Sequence, residues 1–372
     1  MVMVNMSKCI SRRGFLFGMA AAAAICVGLA DTALPHRESF SEKIIVSFDD
    51  RNVLKGLSIG KAAFATGRGD LWMATFAQDG TLTNRVKVAA HDAASVERHE
   101  TEEAITLVWR DIPLGRERGV LDAVVAIEKR ADGSQRWKLS FDNRSKIWRL
   151  FATEFPRLNR VTRDGEGNVM MPGGDHGARL LRGRRGQKKP IRRNYLGYVP
   201  MVSAFFLGED GLYFAAEDPD VRLKSFVIEG EQNVRFDTPA EFGAEGPRHS
   251  VTLAPLKGDW WAAAHRYREF ALRQKWTAKG PIKDIPTYPR RICEIPLWIN
   301  IHGHPAAASN VLTRAKALFP DWTTGLHWHL WQHSGHDVNY PEYFPAQPGA
   351  KDCIAFCASI GQEPMPYTNG TS

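Results

Sequence analysis

Between residues 40 and 256 apolar and polar positions alternate with a period of two, in short runs separated by turn residues. Runs rich in β-branched and aromatic residues cover Lys43–Phe48, Asp70–Phe76, Ala104–Trp109, Leu121–Glu128 and Arg136–Phe141. They resume at Met201–Leu207, Leu212–Ala216, Val221–Ile228 and Ser250–Ala254. Asp79-Gly80, Asp132-Gly133 and Asp210-Gly211 have the chemistry of tight turns, where glycine takes a positive φ at no steric cost. Many short strands without helices between them predict a large β-sandwich over 40–256. The Gly/Asp-rich stretch 163–177 and the basic stretch 178–194 read as long loops.

The period then changes. Asp259–Trp276 predicts a helix, capped by Asp259, with Trp260, Ala263, Tyr267, Phe270 and Leu272 on its apolar side. Proline follows from Pro281 to Pro289, so 257–290 reads as a linking helix and linker. From 291 the pattern is strand–helix–strand–helix–strand: Ile295–Ile301, Ala306–Leu318, Gly325–Leu330, Ala350–Ile360 and Pro364–Asn369. Such alternation predicts a parallel sheet with helical crossovers, and after a sandwich it suits the start of a (β/α)8 TIM barrel. The fold class expected is multidomain, β followed by α/β.

Composition changes this picture little. Hydrophobic residues are 44% and charged residues 24% of 372, ordinary globular values that exclude wholesale disorder. The formal charge of +8 is local: the three basic residues of 1–30 and the eight of 178–194 exceed it, leaving −3 elsewhere. No basic–aromatic interleaving of nucleic-acid type surrounds the basic stretch. Five cysteines (9, 26, 293, 353 and 357) are too few for a disulfide scaffold, and Cys353 and Cys357 read as helix residues. Ser11-Arg12-Arg13-Gly14-Phe15-Leu16, then an Ala-rich apolar stretch to Ala30, resembles a twin-arginine export signal over 1–30. The expected location is periplasmic or secreted. No apolar run long enough to cross a membrane follows residue 30.

Three stretches carry a family resemblance: GLYFAAEDPD (211–220), GDWWAAAHRYREFALRQKW (258–276) and WQHSGHDVNYPEYFPAQPGAKDCIAFCASIGQEPMPYTNG (331–370). With the barrel strands W-I-N-I, H-W-H-L-W and P-Y-T-N, they resemble a bacterial glycosidase-like family of unknown function, the domain of unknown function 6259 type. That family is related to the α-galactosidase-type glycoside hydrolases. The resemblance implies cleavage of glycosidic bonds by two carboxylates at the ends of later barrel strands, without a cofactor. Only 78 residues follow from Ile295 onward, against about 250 for a barrel. The expectation is therefore a truncated barrel whose catalytic carboxylates lie beyond Ser372. Such a chain would be inactive alone, or completed by a complementary C-terminal fragment.

Barrel ligands bind at the carboxyl ends of strands. Sugars need an aromatic face and a few planar polar groups, and Trp331, His333, Asp337, Tyr367 and Asn369 fit that need. A carbohydrate ligand is the expected partner, and no catalytic residue is assigned. Asp175-His176 sits in the Gly-rich stretch and reads as a turn. Two rival readings stand. Six of the twelve histidines lie between 302 and 336, and His302-Gly303-His304 resembles the metal motif of amidohydrolase-type barrels. Alternatively the sandwich is a non-catalytic carbohydrate-binding module.

Overall fold

The computed structural model describes residues 2–5, 42–65, 67–78, 83–161, 168–172, 178–182, 187–194, 201–230, 233–241, 243–281, 284–336, 338–339 and 341–368. The chain divides into two compact units, one of residues 36–278 and one of residues 279–372 together with the amino-terminal strand Val2–Asn5.

The first unit is built from antiparallel sheets. A nine-stranded sheet runs in the spatial order Ala178–Arg182, Asn168–Pro172, Val202–Leu207, Asp210–Ala216, Val251–Lys257, Gln135–Asn143, Leu121–Lys129, Ala104–Arg110 and Ser95–Glu100. A six-stranded sheet runs Gln187–Asn194, Ser225–Gly230, Asn233–Pro239, Trp148–Glu154, Met73–Gln78 and Arg85–Ala89. Ile44–Phe48, Leu54–Ile59 and Ala62–Ala65 make a third, small sheet. All three feed one core. Rings from the two large sheets meet inside it: Phe76 stands edge-on to Phe141 at 5.6 Å, and Phe214 stacks on Phe236 at 5.0 Å. Each buried ring removes roughly 150–250 Å² from water, roughly 4–6 kcal/mol of transfer free energy.

Strand Gln135–Asn143 shows why alternation is readable. Gln135, Trp137, Leu139 and Phe141 are buried, and the residues between them face outward. Val251–Lys257 is buried on both faces instead, because helix Trp260–Leu272 covers the sheet there through Ala263. Asp259 caps that helix, accepting from the Trp261 amide at 2.9 Å. Arg266 ties it to the sheet, donating to Asp132 at 2.9 Å, and the bond from Ser134 and the Arg266 charge together hold the Asp132 carboxyl down at about 2 against its desolvation.

Several expectations are corrected. The basic stretch is not a loop: it supplies Ala178–Arg182 and Gln187–Asn194, edge strands of the two large sheets. Lysine and arginine on an edge discourage pairing with a second chain. The tight turn expected at Asp210-Gly211 lies at Gly208-Glu209, since Asp210 already pairs with Leu207 and Gly208 takes φ 65°. Trp260 and Leu272 are exposed rather than packed, because Ala263, Tyr267 and Phe270 define the buried stripe and Leu272 falls on the opposite side. Asp79-Gly80 and Asp175-His176 lie outside the described residues.

The second unit holds a parallel sheet in the order Val2–Asn5, Leu297–Ile301, Thr324–Trp328, Glu363–Pro366. Helices Pro305–Leu318 and Ala350–Ser359 connect the last three strands. Pro305 opens the first helix, where a missing N–H costs nothing. Both helices pack on the sheet through Ala308, Leu312, Ala315, Cys353 and Cys357. Burial and the neighbouring Cys353 push the Cys357 thiol up to about 12. Gly325 is required by close approach, since a Cβ there would lie 2.3 Å from the Trp298 ring. Val2–Asn5 pairs residue for residue with Leu297–Asn300, where the open edge of the first strand offers unpaired backbone groups. The remainder of residues 1–30 is outside the described residues. Among the described residues no helix is long and apolar enough to cross a membrane.

Candidate functional site at the carboxyl ends of the parallel strands

Three chain segments leave the parallel sheet at its carboxyl edge, and each is tied to its neighbour. The His329 amide donates to the Ile301 carbonyl at 3.0 Å, and the Tyr367 amide to the Trp328 carbonyl at 2.8 Å. The Trp328 indole donates to the Gly303 carbonyl, and the Trp331 indole to the Tyr367 carbonyl, both at 2.7 Å. Two tryptophan N–H groups therefore fix the first and third segments against the second.

Within this frame four histidines and a tyrosine converge. His302 and His329 are stacked, with ring centres 4.0 Å apart. His336 stands edge-on to both, at 4.9 and 4.7 Å. His327 lies 4.5 Å from His329, as expected for two residues apart on one strand face. The Tyr367 ring lies 4.7 Å from His329 and 4.9 Å from His336. His329 is only 7% exposed. Neither of its ring nitrogens has a hydrogen-bond partner, and Nδ1 of His327 and Oδ1 of Asn300 are likewise buried without one. Burial, reinforced by the neighbouring imidazoles, pushes His329 down to about 3, and the same causes lower His327. Both rings are therefore neutral near pH 7 and carry an in-plane lone pair.

The residues singled out in the sequence divide. Tyr367 is part of the cluster. His333 is exposed, and its Nδ1 donates to the Pro345 carbonyl at 3.0 Å. Trp331 is not an open platform: it is 7% exposed, stacked on Tyr343 at 6.0 Å and edge-on to Phe344 at 5.6 Å. The aromatic ring that faces solvent here is Phe344, 75% exposed. Asp337 and Asn369 lie outside the described residues. His302 and His304 do not converge, because His304 is turned to Gln347, donating from Nδ1 to Oε1 at 2.8 Å. The residues that do join His302 are His329 and His336. Their sequence signal was the crowding of histidines between 302 and 336.

The strand ends carry imidazole, indole and phenol groups, in the sequences Asn300-Ile301-His302-Gly303-His304, His329-Leu330-Trp331 and Tyr367-Thr368. Acidic residues of the GLYFAAEDPD stretch are engaged elsewhere. Glu217 accepts from Tyr213 and Thr252, and Asp218 accepts from Lys224 and Arg222.

Residues 246–371 match the family described as domain of unknown function DUF6259. Over 293 residues the chain is 26% identical to a Bacteroides thetaiotaomicron protein named "Putative glycoside hydrolase", covering 74% of this chain and 41% of that protein. Among solved structures it is similar to α-N-acetylgalactosaminidase NagBb from Bifidobacterium bifidum. In the complex of that enzyme with GalNAc the TM-score is 0.55 at 14% identity, covering 87% of this chain and 57% of the enzyme. The ligand-free form gives 0.52. The chain thus spans about two fifths of the length of the curated relative and just over half of the solved enzyme. At this identity the structural likeness is one of fold. What the chain resembles, in sequence and in fold, is a glycosidase-like family of unknown function.

Proposed function

We propose that this is a glycoside-hydrolase-like protein that takes carbohydrate at the carboxyl ends of the parallel strands Leu297–Ile301, Thr324–Trp328 and Glu363–Pro366. The observation that carries the reading is the convergence of Tyr367 and the imidazoles at that edge, beside the exposed ring of Phe344. Rings offer apolar faces to sugar C–H groups, and His333 supplies a polar group for hydroxyls. The strands and their two helical crossovers are read as part of a (β/α)8 barrel, the fold in which ligands bind at this edge. Retaining hydrolysis needs two carboxyl groups about 5–5.5 Å apart. None is assigned here, so the reading is of carbohydrate recognition, with turnover dependent on carboxylates not identified in this chain. Export through the Arg12-Arg13 signal belongs to the same reading, and cell fractionation tests it.

The test is a glycan array with the full chain, run beside aryl-glycoside hydrolysis. Retention of a glycan that Tyr367→Ala and Phe344→Ala both weaken supports the site. Absence of any retained glycan, or retention unaffected by both substitutions, overturns it.

A second reading, carbohydrate binding by the sandwich, is favoured by one observation. A cavity of about 320 Å³ in the first unit is lined by Arg130, Arg136, Arg248 and Arg273 beside Glu217, a basic lining suited to an acidic sugar. Binding that survives Tyr367→Ala but is lost in Arg136→Ala selects it.

A further inference from the structure

We infer that His302, His329 and His336 form a binding site for a divalent transition ion of the Zn²⁺ type. The site shares its imidazoles with the edge proposed for carbohydrate, but does not rest on that reading. One nitrogen from each residue lies within 4.8 Å of the other two. Three atoms at that spacing always share a point no more than ~2.8 Å from any of them. Zinc–imidazole bonds are about 2.0–2.1 Å. Closing the set therefore takes less than about an ångström of movement per ring, within reach of side-chain rotation.

A second, independent observation points the same way. His329 is 93% buried, and neither ring nitrogen finds a partner. Leaving one such group unpaired costs about 1–3 kcal/mol. A bound cation gives one of those nitrogens the partner that the protein withholds. The stacked arrangement of His302 on His329 identifies what must move. Parallel rings cannot both place an ion in their own planes, so one has to tilt. His302 is exposed at a strand end and His329 is buried, so His302 turns.

The donor set names the ion class. Three imidazoles without a carboxylate suit Zn²⁺, Co²⁺, Ni²⁺ or Cu²⁺, whereas Ca²⁺ and Mg²⁺ require oxygen ligands. Three protein ligands leave a tetrahedral ion one open position. His304, held by Gln347, stands outside the set.

The experiment uses the untagged full chain, stripped with chelator and titrated with Zn²⁺ by calorimetry and with Co²⁺ by visible absorption. The expected result is about one equivalent of each ion, with the ligand-field bands of nitrogen-coordinated Co²⁺. Outer-sphere changes already cost about 10–100-fold in metal affinity. Removing a ligand by His302→Ala or His336→Ala should cost at least as much. Neither side chain is fully buried, and circular dichroism confirms that the variants fold. His304→Ala and His333→Ala should retain full uptake. The inference is overturned by a folded wild-type chain that takes up neither ion stoichiometrically, by uptake indifferent to both His302→Ala and His336→Ala, or by uptake lost in His304→Ala. None of these readouts involves a sugar, so failure here and failure of the carbohydrate reading are separate results.

Discussion

Lys224 is a lysine buried to 1% exposure, and its removal gives the sharpest test of how the first unit is held together. Its ammonium donates to Asp218 Oδ2 at 2.9 Å and to the Arg222 carbonyl. Asp218, itself 2% exposed at the side chain, also accepts from the amides of Asp220 and Arg222 at 3.1 and 2.8 Å, and from the Arg222 guanidinium at 2.9 Å. Burial alone would raise the Asp218 pKa. Lys224 and these donors reverse that and hold the carboxyl below its usual range, while burial lowers Lys224 itself. Deleting one member of a buried pair leaves the other charge uncompensated, typically about 3–5 kcal/mol. Lys224→Met leaves Asp218 with Arg222 and two amides, so about 3 kcal/mol is expected. Asp218→Asn takes the compensating negative charge from the buried ammonium, and the upper end, about 5 kcal/mol, is expected. For a unit of this size these losses lower Tm by roughly 6–20 °C. Thermal unfolding of the full chain, followed by tryptophan fluorescence, reads the effect. Replacing both residues with apolar ones should recover much of the loss. Single substitutions that each cost under about 1 kcal/mol would refute the view that this pair is desolvated and mutually dependent.

Three further outcomes follow from the same geometry. Burial, with the charge of Lys224 beside it, pushes His249 down to about 3, with Asp218 opposing and Arg222 reinforcing. The unfolded chain gains a proton below about pH 6.5 that the folded chain refuses until about pH 3. Stability is whole above 6.5 and falls through that window, by about 3 kcal/mol at pH 4.5. His249→Gln should flatten the slope between about pH 6.5 and 5 in denaturant titrations, and an unchanged slope would count against it. Gly325→Ala drives a methyl into the Trp298 ring and should cost about 1–3 kcal/mol, read as a lower melting temperature of the second unit. Trp331→Phe should lose about 1–3 kcal/mol through its bond to the Tyr367 carbonyl, whereas Phe344→Ala should leave melting unchanged. Equal destabilisation by both would overturn the assignment of one ring to the core and the other to solvent.

The strands that could be read in advance are those with one wet face or a mostly apolar run. Gln135–Asn143 alternates because one side meets the core, and Leu297–Ile301 is apolar because helices cover its sheet. Ser95–Glu100 was silent for the opposite reason: it is an edge strand, mostly exposed, with charge on both faces and no period to detect. Arg179, Lys189, Arg192 and Arg193 looked like loop for the same reason, since positive charge at a sheet edge and positive charge in a loop leave the same trace in sequence. Trp331 is ambiguous in sequence because a tryptophan at a strand end suits both a platform and a core. Which it is depends on Tyr343 and Phe344, twelve and thirteen residues on.

The imidazole cluster was hidden by register rather than by composition. His302 and His329 are distant in sequence and share no motif, and the eye is drawn to His302-Gly303-His304, which the fold separates. Yet the pairing of the two strands decides the matter. Asn300 lies opposite His327 and Ile301 opposite Trp328, so the next residue of each strand, His302 and His329, must meet as the chains leave the sheet. The backbone bond from His329 to Ile301 holds that juxtaposition at the edge. A shift of one residue would set His302 against Leu330 and disperse the nitrogens. That register is pinned by Gly325, which alone lets Trp298 lie across the neighbouring strand, and by the Trp328 indole on Gly303. The packing of Trp298 and Trp328 thus determines which histidines face one another.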